Sequence, residues 1–257
     1  MQIVVLLKAV PVVGTERLDA AGRVDRSAGL EPNGNDEYSL ERALTLTEAH
    51  GGEVTILSVG PAAATDPIRK TLAMGAARAV HVLDPGLIGS DVAATARVLV
   101  AALRRLDFDL AFAGADSSDG GGGLVPAMVA TQLGLPYLSY AADVEPLDGA
   151  VRVRRISPGG YHVIEAPTPA LVVGTQLLGA PRYPSLRGIM QARSKEVATW
   201  TLADLGIDPA TVGEAAAGTR LLRTETPPPR GRALVVRDGP DAAVAQVVAF
   251  LAARGLA

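Results

Sequence analysis

The segment Gly114-Ala115-Asp116-Ser117-Ser118-Asp119-Gly120-Gly121-Gly122-Gly123-Leu124-Val125-Pro126 is the stretch of this sequence best built for chemistry. Its four consecutive glycines let backbone amides crowd around an anion. A helix opening near Leu124 would add the partial positive charge of its first turn. The chemistry this allows is phosphate binding. Glycine runs also make flexible loops, and spacing alone leaves both readings open. Position after the strand-like run Leu110–Ala113 favours the phosphate, because ligands of parallel sheets collect at the carboxyl ends of strands.

Lys8, at the end of the first strand-like run, could meet such a phosphate or stand solvated. Asp36, Glu37, Asp116 and Asp119 could converge at the same sheet edge. With no base, nucleophile or metal ligand beside them, their simplest roles are hydrogen bonding to a ribose and capping helices. His50, His81 and His162 are too scattered for a ligand cluster or a dyad, so each reads as structural, and no metal site or catalytic residue is expected. The first strand-to-helix connection lacks G-x-G-x-x-G, and no G-x-x-x-x-G-K-[ST] occurs anywhere. A nicotinamide-type dehydrogenase, a P-loop NTPase and an enzyme that activates substrates with ATP are all disfavoured. A second segment, Arg182 to Lys195, mixes four cations with Leu186, Ile189 and Met190. Apolar residues inside a basic rim suit docking to an acidic partner. Ile189 and Met190 could instead tuck into the core, whereas Leu186 between Ser185 and Arg187 reads as exposed.

These residues need a scaffold. Ile3–Leu7, Val54–Val59, Ala79–Leu83 and Leu110–Ala113 are continuous apolar runs of the kind buried on both faces of a parallel sheet. Helical stretches separate them: one capped by Asn35 or Asp36 and running to Ala49, one opened by Asp66-Pro67, one from Ser90-Asp91 through Leu106. The order predicts a doubly wound, mostly parallel α/β sheet of Rossmann-like type. Val151–Ile156 and Tyr161–Ile164, flanking Ser157-Pro158-Gly159-Gly160, predict a β-hairpin. Ala170–Thr175 reads as a strand returning to the core. From Gln176 to about Pro209 the composition suggests a surface excursion with a short helix near Leu202–Leu205. The stretch Thr224-Glu225-Thr226-Pro227-Pro228-Pro229-Arg230-Gly231 predicts an extended linker, and Asp241–Arg254 an amphipathic helix.

With 257 residues, 48% of them hydrophobic, the chain can bury a full core as one main domain, 1–223, plus a tail, 224–257. No run is long enough to span a membrane, and the N-terminus carries no signal-peptide pattern, so a cytoplasmic location is expected. The absence of cysteine excludes disulfides, thiolate metal sites and iron–sulfur clusters. A redox role would need a bound organic cofactor. A formal charge of −3 argues against a nucleic-acid binder.

In combination, Ile3-Val4-Val5-Leu6-Leu7-Lys8, Asn33 to Leu44, Gly60-Pro61, Thr71-Leu72-Ala73-Met74-Gly75-Ala76, the Asp119 glycine loop, and Pro181-Arg182-Tyr183-Pro184 through Ile189-Met190 resemble the beta subunit of electron transfer flavoproteins. The likeness runs from Ile3 to about Asp208, and more loosely through the tail. It implies an electron-carrier subunit, not an enzyme, paired with an alpha subunit that carries the working FAD. It further implies a buried AMP in this chain, or a second FAD in that place as in electron-bifurcating relatives. By position, nucleotide contacts fall on Leu6, on Asn33, Gly34, Asn35 and Asp36, on Val59, and on Gly114 through Val125. Leu6 and Val59 would act through their backbones. Partner docking falls on Arg182, Tyr183, Leu186, Ile189 and Met190, with Leu186 as the recognition leucine. Electrons would pass from flavin dehydrogenases to a quinone reductase or similar acceptor, and the tail would contact the alpha subunit.

The chain departs from the family pattern in several places. Gly121, Gly122 and Leu124 stand where many members have polar side chains, so backbone amides carry more of the phosphate contact. Asn33-Gly34-Asn35 replaces an Asn-Pro sequence, and Ser157 and Pro158 replace an acidic pair. Gln191-Ala192-Arg193-Ser194-Lys195 thins a lysine cluster. The rival from another class is a stand-alone ATP-binding stress or signalling module that forms homodimers; the docking segment and the proline-rich tail speak against it.

Overall fold

The structure, a computed structural model, describes all residues except Ala28, Thr226, Pro227, Pro229, Arg230, Arg232, Leu234, Asp238 and Ala257. The chain divides into two compact units, Met1–Leu221 and Leu222–Ala257.

In the first unit the strands are β1 (Gln2–Leu7), β2 (Ala9–Pro11), β3 (Leu30–Pro32), β4 (Glu53–Val59), β5 (Arg78–Val82), β6 (Leu110–Gly114), β7 (Tyr137–Leu147), β8 (Ala150–Ser157), β9 (Gly160–Pro167), β10 (Ala170–Gly174) and β11 (Val197–Trp200). The helices are α1 (Gly34–His50), α2 (Thr65–Met74), α3 (Val92–Leu103), α4 (Val125–Leu133), α5 (Leu186–Ala192), α6 (Leu202–Leu205) and α7 (Gly213–Ala216). One nine-stranded sheet runs in the order β11-β5-β4-β1-β6-β10-β7-β8-β9, while β2 and β3 form a small antiparallel pair. Every neighbouring pair from β11 to β7 is parallel; β8 and β9 extend the sheet as an antiparallel hairpin.

Alternation along the buried strands builds a core on each face. In β1, Val5 and Leu7 pack with Leu40 and Leu44 of α1 and with Ile68 and Leu72 of α2. Val4 and Leu6 pack on the other face with Val98 and Leu103 of α3 and Val129 of α4. Helices on both faces explain the unbroken apolar runs. The chain builds outward from β1 through β4 to β5, then returns past β1 to start β6 on its other side. The carboxyl ends of β1 and β6 therefore flank the switch point of the sheet, where such folds bind ligands.

Several local expectations are corrected. Helix α1 is capped at Asn33, not at Asn35 or Asp36. Helix α2 follows a 3-10 turn at Ala62–Ala64 and begins at Thr65, so Asp66-Pro67 lies inside its first turn. Asp91 caps α3 by accepting from the Ala94 amide at 2.9 Å, and the helix stops at Leu103. Strand β7 was not expected from the sequence, and the hairpin strands are longer than predicted. The region after Gln176 is not an excursion: it supplies α5 and the edge strand β11, which pairs in parallel with β5.

In the second unit α8 (Pro240–Ala252) forms close to the expected helix, with Val244, Val247, Val248 and Phe250 exposed. The Arg254 guanidinium lies 3.5 Å from the centre of the Phe250 ring. The proline-rich linker expected at Thr224 to Gly231 falls partly outside the described residues. Among the described residues, no helix is long and apolar enough to cross a membrane.

Candidate functional site

At the switch point the entry to α1 acts as a wedge. The Asp36 carboxylate accepts from the Lys8 amide at 2.8 Å through Oδ2 and from the Gly114 amide at 2.9 Å through Oδ1, joining the ends of β1 and β6. Only glycine fits at 114, because a Cβ there would lie 2.5 Å from Asp36 Oδ1 and 2.8 Å from the Asn35 carbonyl carbon. Burial pushes the Asp36 carboxyl up to about 7, against the opposing pull of its hydrogen bonds to the Lys8 amide, Asn33 and the Gly114 amide. Asn33 spends its side chain on the loop after β6 rather than on α1: Nδ2 donates to the Asp116 carbonyl at 2.7 Å, and Oδ1 accepts from the Ser118 amide at 3.2 Å. Asn35 Nδ2 donates to Asp116 Oδ1 at 2.5 Å.

Beyond Asp116 the loop turns on itself, the Gly121 amide donating to the Ser117 carbonyl at 2.8 Å. Gly121 and Gly123 hold left-handed φ of 56° and 59°, which explains glycine at both. At Asp119, whose side chain is 1% exposed, two cations converge. Lys8 Nζ lies 2.7 Å from Oδ1 and also donates to Ser117 Oγ at 2.9 Å, while Arg26 pairs with Oδ2. Arg26 sits on the connection between β2 and β3 and carried no signal in the sequence. Two cations thus meet one buried carboxylate here, with the Asp36 carboxyl near enough to Lys8 to act on its charge. Open space lies where side chains would stand at Gly121 and Gly122. Cations, a hydroxyl and an unobstructed glycine backbone are a donor set that fits a nucleotide phosphate.

The other residues singled out in the sequence divide between the two faces of this corner. Leu6, Val59, Ala115 and Val125 share the apolar cluster on the α3 and α4 side. Asn33, Gly34, Asn35, Asp116 and Ser118 line an open depression of about 350 Å³ on the α1 side, together with Val10, Val13 and Tyr38. Gly120 to Val125 do not line that depression. Glu37 joins its lining while pairing with Lys70 at 2.8 Å. Leu124 is exposed at the start of α4. The histidines stay apart: buried His81 donates from Nε2 to the Gly60 carbonyl at 3.1 Å, and burial lowers its pKa.

The profile of the electron transfer flavoprotein domain matches residues 22–205. The electron transfer flavoprotein subunit beta of Mycobacterium leprae is 38% identical over 261 residues, covering 98% of each chain. This chain belongs to the electron transfer flavoprotein beta family. The corresponding subunit of Clostridium acetobutylicum is 34% identical over 253 residues and 98% of each chain. The caffeyl-CoA reductase-Etf complex subunit CarD of Acetobacterium woodii is 32% identical over 235 residues, 90% of each.

In this flavoprotein beta chain the second segment of interest stands away from the switch point. Tyr183 is 95% exposed and Leu186 77%, and Ile189 and Met190 are exposed as well, contrary to the expectation that these last two could reach the core. Ala192 alone in α5 is buried. Arg182 does not point outward with them. It lies across α1, its Nε 2.9 Å from Glu41 Oε2 and its Nη2 3.0 Å from Glu48 Oε2. Hydrogen bonding to Glu48, and then to Glu41, pushes the guanidinium pKa above its ordinary value.

Proposed function

We propose that this chain is the beta half of a heterodimeric electron transfer flavoprotein. It binds AMP at the switch point, offers one wall to an FAD held with the alpha subunit, and so carries electrons from flavin dehydrogenases to an acceptor such as a quinone reductase. The bound flavin supplies the redox chemistry. The chain's own residues bind and orient, and none is nominated as acid, base or nucleophile.

The observation that carries this reading is the convergence of Lys8 and Arg26 on Asp119 at the head of the glycine loop, between the ends of β1 and β6. It gives a partly desolvated corner holding two cations where the fold rule expects a phosphate. The Asn33 and Asn35 amides shape the loop beside it, leaving Leu6, Val59 and Ala115 as apolar floor. A second reading, FAD in place of AMP, is favoured by the open space at Gly121 and Gly122. The stand-alone ATP-binding module gains no support from the family to which the chain belongs. The proline-rich tail and its helix would serve as an arm on the alpha subunit.

The test is to coexpress the chain with its alpha partner, release the ligands with acid and identify them by mass spectrometry. A yellow heterodimer containing AMP and about one flavin is expected. Two flavins without AMP would select the second reading, and a heterodimer with no nucleotide beyond the working flavin would refute both.

A further inference from the structure

Helix α5 has seven residues, and isolated helices shorter than about 12 residues are marginal in water. Its exposed residues Leu186, Ile189 and Met190 therefore depend on outside attachments for a fixed shape. Three attachments are present. At the entry, the Arg182 guanidinium forks across Glu41 and Glu48, one turn pair apart on α1, and its backbone amide donates to Glu41 Oε2 at 3.0 Å. In the middle, α5 crosses the end of α2 so closely that a Cβ at Gly188 would run into the Ala73 carbonyl oxygen. At the exit, Arg69 Nη1 donates to the Ala192 and Lys195 carbonyls, both at 2.7 Å. Lys195 Nζ donates to Leu72 O at 2.9 Å and Ala76 O at 2.6 Å, closing carbonyls at the end of α2. Of the four cations in the segment, Arg182 and Lys195 are thus turned onto their own fold, whereas Arg187 and Arg193 are exposed around the apolar residues.

We propose that Arg182 is a positioning residue and not a partner contact: its fork on Glu41 and Glu48, matched by Lys195 at the other end, holds α5 preorganised to dock an acidic flavin dehydrogenase. This rests on the reading of α5 as the docking element. A helix held in place before encounter loses less freedom on binding, so releasing it weakens association without touching electron transfer inside the complex. Arginine is required because a planar fork spans two carboxylates, which a single ammonium does not. The exposed Arg187 and Arg193 supply the positive charge that a partner feels.

The test uses the complete heterodimer and, as donor, the flavin dehydrogenase of the same cells that reduces the unaltered heterodimer fastest. Arg182→Gln and Arg182→Lys are both expected to raise the KM for that donor about two- to tenfold. The kcat at saturating donor and the rate of reduction by dithionite should stay unchanged. The salt dependence of donor reduction should remain that of the unaltered protein, while Arg187→Gln flattens it. The double variant Glu41→Gln/Glu48→Gln, which leaves Arg182 in place, should reproduce the KM defect, and it carries the test if Arg182→Gln fails to fold. Restoration of KM by Arg182→Lys, or a flattened salt dependence in Arg182→Gln, would show that Arg182 touches the partner and would overturn the inference. Leu186→Ala separates the two levels: no effect there defeats docking through α5 itself, whereas a raised KM there with a normal Arg182→Gln defeats the positioning role alone.

Discussion

The Lys8 ammonium lies 2.7 Å from the Asp119 carboxylate across the switch point, joining the end of β1 to the loop after β6. Asp119 is sealed from solvent while Lys8 keeps 42% of its side chain exposed. The carboxylate therefore depends on its cations more than they depend on it. Asp119→Asn should lower the unfolding midpoint of the nucleotide-free chain, because Lys8 and Arg26 then face each other without their counter-charge. Added AMP should raise the midpoint more in the variant than in the parent, since its phosphate supplies the missing negative charge. Thermal unfolding across an AMP titration measures both effects. An equal shift in the two proteins would place the phosphate away from this pair.

Asp36 sets a pH dependence. Its folded-state carboxyl titrates near 7, against about 3.9 in an unfolded chain. Between these values the folded state retains a proton that the unfolded state has released. This contribution to stability is therefore intact below about pH 4 and is lost as pH rises to about 7, with a slope of up to about 1.4 kcal/mol per pH unit. Asp36→Asn should abolish the slope. Its cost relative to the parent should therefore be largest near pH 4 and shrink as pH rises to about 7. Urea unfolding of both proteins from pH 4 to 8 reads the difference.

The glycines at the site fall into two classes. Gly114→Ala would drive a Cβ against Asp36 and the backbone of Asn35, so a loss of about 1–3 kcal/mol in stability is expected together with loss of nucleotide. At Gly122 nothing lies within 4 Å of an added Cβ, and its φ is not left-handed. Gly122→Ala should leave stability within about 0.5 kcal/mol while weakening the bound nucleotide. A Gly122→Ala heterodimer that retains a full complement of nucleotide would show that this glycine does not face the ligand.

Leu186 is 77% exposed, so Leu186→Ala should leave the unfolding midpoint unchanged. If it anchors a donor, its loss should slow reduction by a dehydrogenase about tenfold or more. Stopped-flow reduction beside a nucleotide assay distinguishes this from damage to the switch point.

The parallel half of the fold was legible because doubly buried strands leave unbroken apolar runs, and the glycine loop declared itself by following one of them. Strand β7 was hidden for a local reason. Its register shifts between Ala141 and Asp143, and Tyr140 adopts a φ of 54°, which breaks the two-residue alternation by which a strand is recognised. The edge strand β11 was hidden for a non-local one: four residues of mixed type become a strand only because β5 offers them an edge.

By itself the amino-acid order determined the parallel strands β1, β4, β5 and β6 with the helices between them, the glycine-rich loop that follows β6, and the basic segment around Leu186. Only the tertiary structure decided which charges each of these retains. Arg26 reaches Asp119 across 93 positions and Arg182 reaches Glu41 across 141. A charge is neutralised by what lies within a few ångströms of it, and that neighbour is chosen by the order of strands in the sheet, not by proximity along the chain.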